Sequence, residues 1–165
     1  MKNKRAVIPG SYDPITLGHL ELIKRASKFF DEVIVLVCVN SAKSGFVSAE
    51  DRRILAEDAV KDLENVKVDS CDGLFADYCH ENNVDVVVKG IRNSVDYSYE
   101  AELKAYNDRI FEDKYGYFPE TFFIQSSDEF AHASSTFVRE LIKYNVDVKK
   151  YVPNAELLLK LINRQ

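Results

Sequence analysis

The run Pro9-Gly10-Ser11-Tyr12-Asp13-Pro14-Ile15-Thr16-Leu17-Gly18-His19 carries the residues best suited to chemistry. Gly10 reaches backbone angles closed to other residues and lets a ligand approach the main chain. Ser11 sets a hydroxyl beside it. Gly18 leaves space under the first turn of the helix that follows. His19 stands at the start of that helix, where free N–H groups and the dipole attract anions. An imidazole held there can donate a hydrogen bond to a phosphate oxygen.

Other charged and hydroxyl groups fall at comparable places. Lys43, in Asn40-Ser41-Ala42-Lys43, follows the second apolar run. Lys89-Gly90-Ile91-Arg92 ends a later one, where Gly90 allows close approach and Arg92 can fork onto phosphate oxygens. Ser134-Ser135-Thr136 precedes the apolar helical face of Phe137, Val138, Leu141 and Ile142. Hydroxyls and free N–H groups at a helix start make a phosphate nest, and a plain N-cap there is compatible with it. The histidines are His19, His80 and His132, and none forms an i, i+4 ligand pair, so no structural metal is implied. Tyr97, Tyr99, Tyr106, Tyr115 and Tyr117 cluster, and aromatics of this kind are as often core or subunit contact as anything catalytic.

The elements that position these groups alternate. Apolar, β-branched strands are expected at 6–8, 33–39, 66–69 (nearer an edge), 84–89 and 121–125. Helices are expected at 19–30, from Ser48 to about Leu63, at 74–82, 97–111, 134–144 and 154–162, with 113–119 a surface excursion. This alternation is the pattern of an α/β fold, a five-stranded parallel sheet with helices on both faces. Right-handed crossovers bring every strand-to-helix loop to one carboxyl edge, where ligands bind near the switch in strand order.

Composition bounds the rest. The 165 residues suit one domain, residues 1–165, with ordinary globular content (46% hydrophobic, 30% charged). A net charge of −5 disfavours a nucleic-acid coat protein. The longest apolar run, Val33 to Val39, falls far short of the ~20 residues that span a bilayer. The basic N-terminus precedes too few apolar residues for a signal peptide. Cys38, Cys71 and Cys79 form no C-x-x-C pair, and free thiols fit a reducing cytoplasm.

The loop resembles the T-x-G-H form of the H-x-G-H motif of the nucleotidyltransferase superfamily. More closely, G-S-Y-D-P-I-T-L-G-H is similar to the G-T-F-D-P-I-T-x-G-H run of the phosphopantetheine adenylyltransferase family. Val88 to Asn93 with Asp96-Tyr97-Ser98-Tyr99-Glu100 resembles that family's R-G-[LI]-R and D-[FY]-x-Y-E runs, and Ala133 to Glu140 its I-S-S-[ST]-x-[VI]-[RK]-[ED] run. The resemblance spans essentially the whole chain. It implies a Rossmann-like nucleotidyltransferase fold and adenylyl transfer from ATP, with Mg2+, to 4′-phosphopantetheine.

The resemblance also assigns roles. His19, Lys43 and Arg92 become catalytic. Ser11, Tyr12, His19, Gly90, Ile91, Arg92, Glu100, Phe130, Ala131, His132, Ala133, Ser134, Ser135 and Thr136 bind ATP. Ser11, Lys43, Leu74, Phe75 and Lys89 bind the acceptor, although periodicity alone makes Leu74 and Phe75 core residues. Three positions depart from the family: Ser11 for Thr, Lys89 for Arg, and Phe130 for Trp. A homohexamer and coenzyme A as a feedback ligand are further implications. The nucleophile is itself a phosphate and needs no general base, which accounts for a site without a Ser-His-Asp set. Two alternatives stand beside this reading: another small-molecule nucleotidyltransferase, and a nucleotide or coenzyme A sensor without catalysis. Thr16 in place of a first histidine separates the chain from the H-x-G-H cytidylyltransferases.

Overall fold

The structure, a computed structural model, describes residues 4–40, 44–130 and 132–164. Five parallel strands, β1 (Arg5–Gly10), β2 (Glu32–Cys38), β3 (Val66–Cys71), β4 (Val86–Ile91) and β5 (Glu120–Gln125), form one sheet in the order β3-β2-β1-β4-β5. The helices are α1 (Leu17–Ala26), α2 (Ala49–Val60), α3 (Phe75–Glu81), α4 (Ser94–Tyr115), α5 (Ser135–Lys143) and α6 (Ala155–Ile162). The expected α/β class, with a parallel sheet covered on both faces, is the observed one.

Strand alternation sorts the two layers. Val33, Val35 and Val37 of β2 pack with Leu20 and Ile23 of α1, Leu55 of α2 and Leu158 of α6. Ile34 and Leu36 face the other way, onto Ala76 and Cys79 of α3 and Phe111 of α4. β3 and β5 are the edges, as the polar alternation of β3 anticipates.

Pairing within the sheet is uneven. β1 pairs with β2 along its whole length, from Arg5 opposite Glu32 to Gly10 opposite Val37. β4 pairs with β5 from Val86 opposite Glu120 to Ile91 opposite Gln125. Between β1 and β4 the register holds only Ala6 opposite Val86 and Val7 opposite Val87. Beyond Val7 the two strands part, and that stretch contains Pro9, which has no N–H to donate. The gap opens at the carboxyl edge, where the strand order reverses, and a doubly wound sheet offers its crevice there.

Several boundaries differ from the sequence expectation. β1 runs on through Pro9 and Gly10, because its β2 side stays paired. α1 starts at Leu17, not His19, and ends at Ala26; Phe30 still reaches the core from the turn that follows. α4 is longer at both ends. Asn93 caps its start, its Oδ1 accepting from the N–H groups of Val95 and Asp96, and Gly116 ends it at φ 71°. The expected excursion therefore shrinks to the few residues after Tyr115. Among the described residues no helix is long and apolar enough to cross a membrane.

Candidate active site

Thr16 is the N-cap of α1, and His19 is the third residue of its first turn. The backbone N–H of Thr16 donates to His19 Nδ1 at 3.0 Å, while the His19 N–H donates to Thr16 Oγ1 at 3.4 Å. This is a reciprocal capping box with histidine where glutamate or glutamine usually stands. The T-x-G-H spacing is thus a helix-capping spacing. With Nδ1 accepting, we assign the neutral ring's proton to Nε2, which leaves one N–H free to donate. Burial first, and the nearby Arg92 charge second, lower the imidazole pKa to about 4.

The loop before α1 is tied down through its carbonyls. Tyr12 Oη donates to Ile8 O (2.7 Å), Arg52 Nη1 to Ser11 O (3.1 Å), Arg139 Nη1 to Asp13 O (2.6 Å) and Ser135 Oγ to Pro14 O (2.8 Å). The Asp13 carboxylate accepts the N–H groups of Phe46 (2.8 Å) and Val47 (2.7 Å). Tyr12 lies in the left-handed region at φ 47°, a strain of about 1–3 kcal/mol that the surrounding contacts must hold. Its buried ring meets the His19 imidazole edge-on, centroids 5.0 Å apart. A side chain at Gly10 would place Cβ 3.1 Å from that ring, a tight contact that Tyr12 would have to yield to by a few tenths of an ångström.

Where β1 and β4 part lies a cleft of about 430 Å³. It brings together Ser11, Tyr12, His19, Lys89, Gly90, Arg92, Glu100, Phe130, Ala133, Ser134, Ser135 and Thr136 of the sequence-derived set. Arg92 leans on Asp96, Nε to Oδ2 at 2.8 Å and Nη2 to Oδ1 at 3.2 Å. Lys89 Nζ stands 3.0 Å from Glu100 Oε2, off the hydrogen-bond direction, and that buried oxygen has no hydrogen-bond partner among the described residues. Ser134 Oγ caps α5 by accepting from Phe137 N at 3.1 Å. Thr136 Oγ1 accepts from Arg139 at 3.1 Å. The cleft floor is therefore two cations beside carboxylates, a neutral imidazole donor and the N-terminus of a helix, a combination suited to a polyphosphate.

Other expected residues fall elsewhere. Ile91 ends β4 without lining the cleft, and His132 is exposed. Leu74 precedes α3 and is 41% exposed, while the ring of Phe75 packs edge-on against Phe111 at 6.2 Å. Phe75 also lines a separate small cavity with Lys89 and Glu100. Lys43 and Ala131 lie outside the described residues. Leu22 and Ser126 line the cleft without having been singled out, and Thr16, Gly18, Asp96, Tyr99 and Arg139, which the motifs contain, line it without having been assigned a binding role. The Arg92–Asp96 pair could have been found from its i, i+4 spacing. Arg139 stands at the [RK] position of the quoted run, but its contact could not be read from the sequence, because its partner, the Asp13 carbonyl, is 126 residues away.

Comparison with known proteins gives the family and the fold. Residues 7–141 match the Cytidylyltransferase-like family, and the chain belongs to it. Among solved structures it is similar to a candidate nicotinate-nucleotide adenylyltransferase from Vibrio parahaemolyticus, with TM-score 0.69 and 19% identity over 99% of this chain and 97% of that one. It is also similar to a lipopolysaccharide core biosynthesis protein from Thermoplasma volcanium GSS1, with TM-score 0.56 and 22% identity over 76% of this chain and 99% of that one. At these identities the likeness is one of fold.

Proposed function

We propose that the protein transfers the adenylyl group of ATP to 4′-phosphopantetheine, forming 3′-dephospho-coenzyme A and releasing pyrophosphate. The observation that carries the reading is His19, held by Thr16 with its free N–H directed away from the capping box, in one cleft with Arg92 and the start of α5. A terminal phosphate of the acceptor attacks the α-phosphorus of ATP. One P–O bond forms, the bond to the β-phosphate oxygen breaks, and the electron pair leaves on pyrophosphate. A phosphomonoester has its second pKa at about 6, so at neutral pH the nucleophile is already charged and no base is needed. The work left to the protein is alignment and neutralisation of charge.

In this reading His19 donates to an α-phosphate oxygen and Arg92 and the α5 N–H groups hold the β- and γ-phosphates. Ser11 and Lys89 meet the acceptor phosphate, joined by Lys43. Magnesium belongs to the reading as the ion that ATP carries in. The carboxylates lining the cleft, Asp96 and Glu100, already face Arg92 and Lys89, and no group of three His, Cys, Asp or Glu among the described residues is placed to hold a metal.

The test is pyrophosphate release with ATP or CTP against 4′-phosphopantetheine, pantetheine and nicotinate mononucleotide. ATP with phosphopantetheine is expected to be the productive pair. Turnover of nicotinate mononucleotide alone would move the chain to the activity named for its Vibrio neighbour. Turnover of unphosphorylated pantetheine would remove the proposed nucleophile.

A further inference from the structure

Arg52 of α2 is a buried cation, 6% exposed, with no carboxylate partner among the described residues and its Nε without a hydrogen bond. A buried guanidinium without a counter-ion is costly, so its placement asks for a reason. Among the described residues its guanidinium donates to the carbonyl of Ser11 in the loop after β1. Its other contact is with the turn after β2. A Cβ built on Gly45 would come 2.9 Å from Arg52 Nη2 and 2.7 Å from Val47 O, so the guanidinium fills the space that glycine leaves. Asp13 makes the reverse connection, from the first loop to the N–H groups of Phe46 and Val47 in the same turn. Arg52 and Asp13 together fasten the two loops, one by a cation on a carbonyl and the other by a carboxylate on two amides.

The position of this clip in the sheet indicates what it serves. The cleft between β1 and β4 holds Arg92 and the start of α5, the groups that the proposed function gives to the nucleotide. The β2 loop stands on the opposite side of β1. There a second cavity of about 840 Å³, lined in part by Arg52, Gly45 and Phe46, meets the first at Ser11 and Arg139. In the proposed function the acceptor phosphate meets Ser11, which lines both cavities, and Lys89 of the first cleft, so the acceptor's phosphate crosses the Ser11 junction. We propose that Arg52, with Asp13, is a positioning residue for the acceptor: it fixes the Ser11 backbone and the 44–47 turn so that the acceptor's phosphate is seated, without touching either substrate.

The inference rests on the function proposed above, and its test separates the two. Steady-state pyrophosphate release is measured for the wild type, Arg52→Met, Arg52→Lys and Gly45→Ala, varying ATP and 4′-phosphopantetheine in turn, with Tm recorded for each. Arg52→Met is expected to raise KM for phosphopantetheine tenfold or more, with KM for ATP within twofold of wild type. Arg52→Lys keeps the charge but not the fork, and should shift the same constant. Gly45→Ala brings a methyl group against both the guanidinium and the Val47 carbonyl and should shift the same constant, a second variant at this contact if the Arg52 variants fail to fold. A purely structural residue would lower Tm and active fraction and leave both KM values alone. That result, or equal rises in both KM values, overturns the proposal while leaving the reaction intact. A wild-type enzyme inert toward phosphopantetheine overturns the reaction itself, and the acceptor role of Arg52 with it.

Discussion

Thr16 and His19 cap each other: the Thr16 N–H donates to His19 Nδ1 at 3.0 Å, and the His19 N–H donates to Thr16 Oγ1 at 3.4 Å. The catalytic imidazole of the proposed reaction is thus also the helix's own cap, and two substitutions distinguish the roles. Thr16→Ala removes the hydroxyl but keeps the backbone N–H that orients the ring. It should cost about 1 kcal/mol of stability, an ordinary N-cap loss. Its rate should fall far less than that of His19→Ala, for which a lost preorganised donor implies about 10²–10³. Denaturation midpoints and single-turnover rates of the two variants check this. A Thr16→Ala enzyme as slow as His19→Ala would show that the hydroxyl, not the amide, sets the ring.

The His19 imidazole is held neutral, its pKa lowered to about 4 by burial and then by Arg92. The folded value lies below the unfolded one, so the unfolded chain binds the extra proton between them. The stability tied to this group is therefore complete above about pH 6.5 and is lost as pH falls toward 4. Activity should show no limb from this imidazole between pH 5 and 8, because its folded pKa lies below that window. The acid limb near pH 6 should instead follow protonation of the acceptor phosphate, whose second pKa is about 6. NMR titration of the free enzyme, with His19→Gln used to assign the resonance, should place the His19 midpoint near 4, whereas a midpoint near 6.5 would mean an imidazolium donor.

Some of this arrangement could be read from residue order alone. The five strands were visible because buried parallel strands are apolar on both faces, as in Val33 to Val39, and the loop mattered because glycines, a hydroxyl and a histidine fall between a strand and a helix. Helix limits were less accessible. His19 looks like the start of α1, yet the cap is Thr16, because histidine takes the place usually given to glutamate. The contacts that hold the loop were out of reach. Arg139 to Asp13, Ser135 to Pro14 and Arg52 to Ser11 join residues brought together only by the folded sheet. Nor does periodicity reveal that β1 and β4 separate after Val7, since β1 stays paired to β2 throughout and keeps the apolar pattern of an interior strand.

Arg92 presents Nε and Nη2 to Asp96 and keeps Nη1 without a hydrogen-bond partner among the described residues. Asp96 therefore orients the guanidinium toward the cleft, acting through Arg92. The pair is partly exposed and its loss should change stability by less than about 1 kcal/mol. Arg92→Ala should lower kcat/KM for ATP by about 10²–10³, and Asp96→Ala by about tenfold, as losses of a charge-stabilising and an orienting group. The double variant should be no slower than Arg92→Ala. Additive losses in that cycle would mean that Asp96 acts on the substrate directly.

Gly18 separates what the fold needs from what the ligand needs. It lies in the first turn of α1 without a positive φ, and a Cβ there would stand 3.4 Å from Phe130 O, 3.5 Å from Ala133 O and 3.6 Å from Thr16 Oγ1. These contacts are close but tolerable, and alanine in a helix is favoured over glycine by roughly 0.5–1 kcal/mol. The free protein should thus be as stable with Gly18→Ala as without it, or slightly more stable. The methyl group, however, is added to a residue of the cleft wall, against the carbonyls of Phe130 and Ala133. ATP affinity measured by calorimetry should fall tenfold or more while Tm holds or rises. A variant that binds ATP normally would place the nucleotide away from this wall, and with it away from the start of α1.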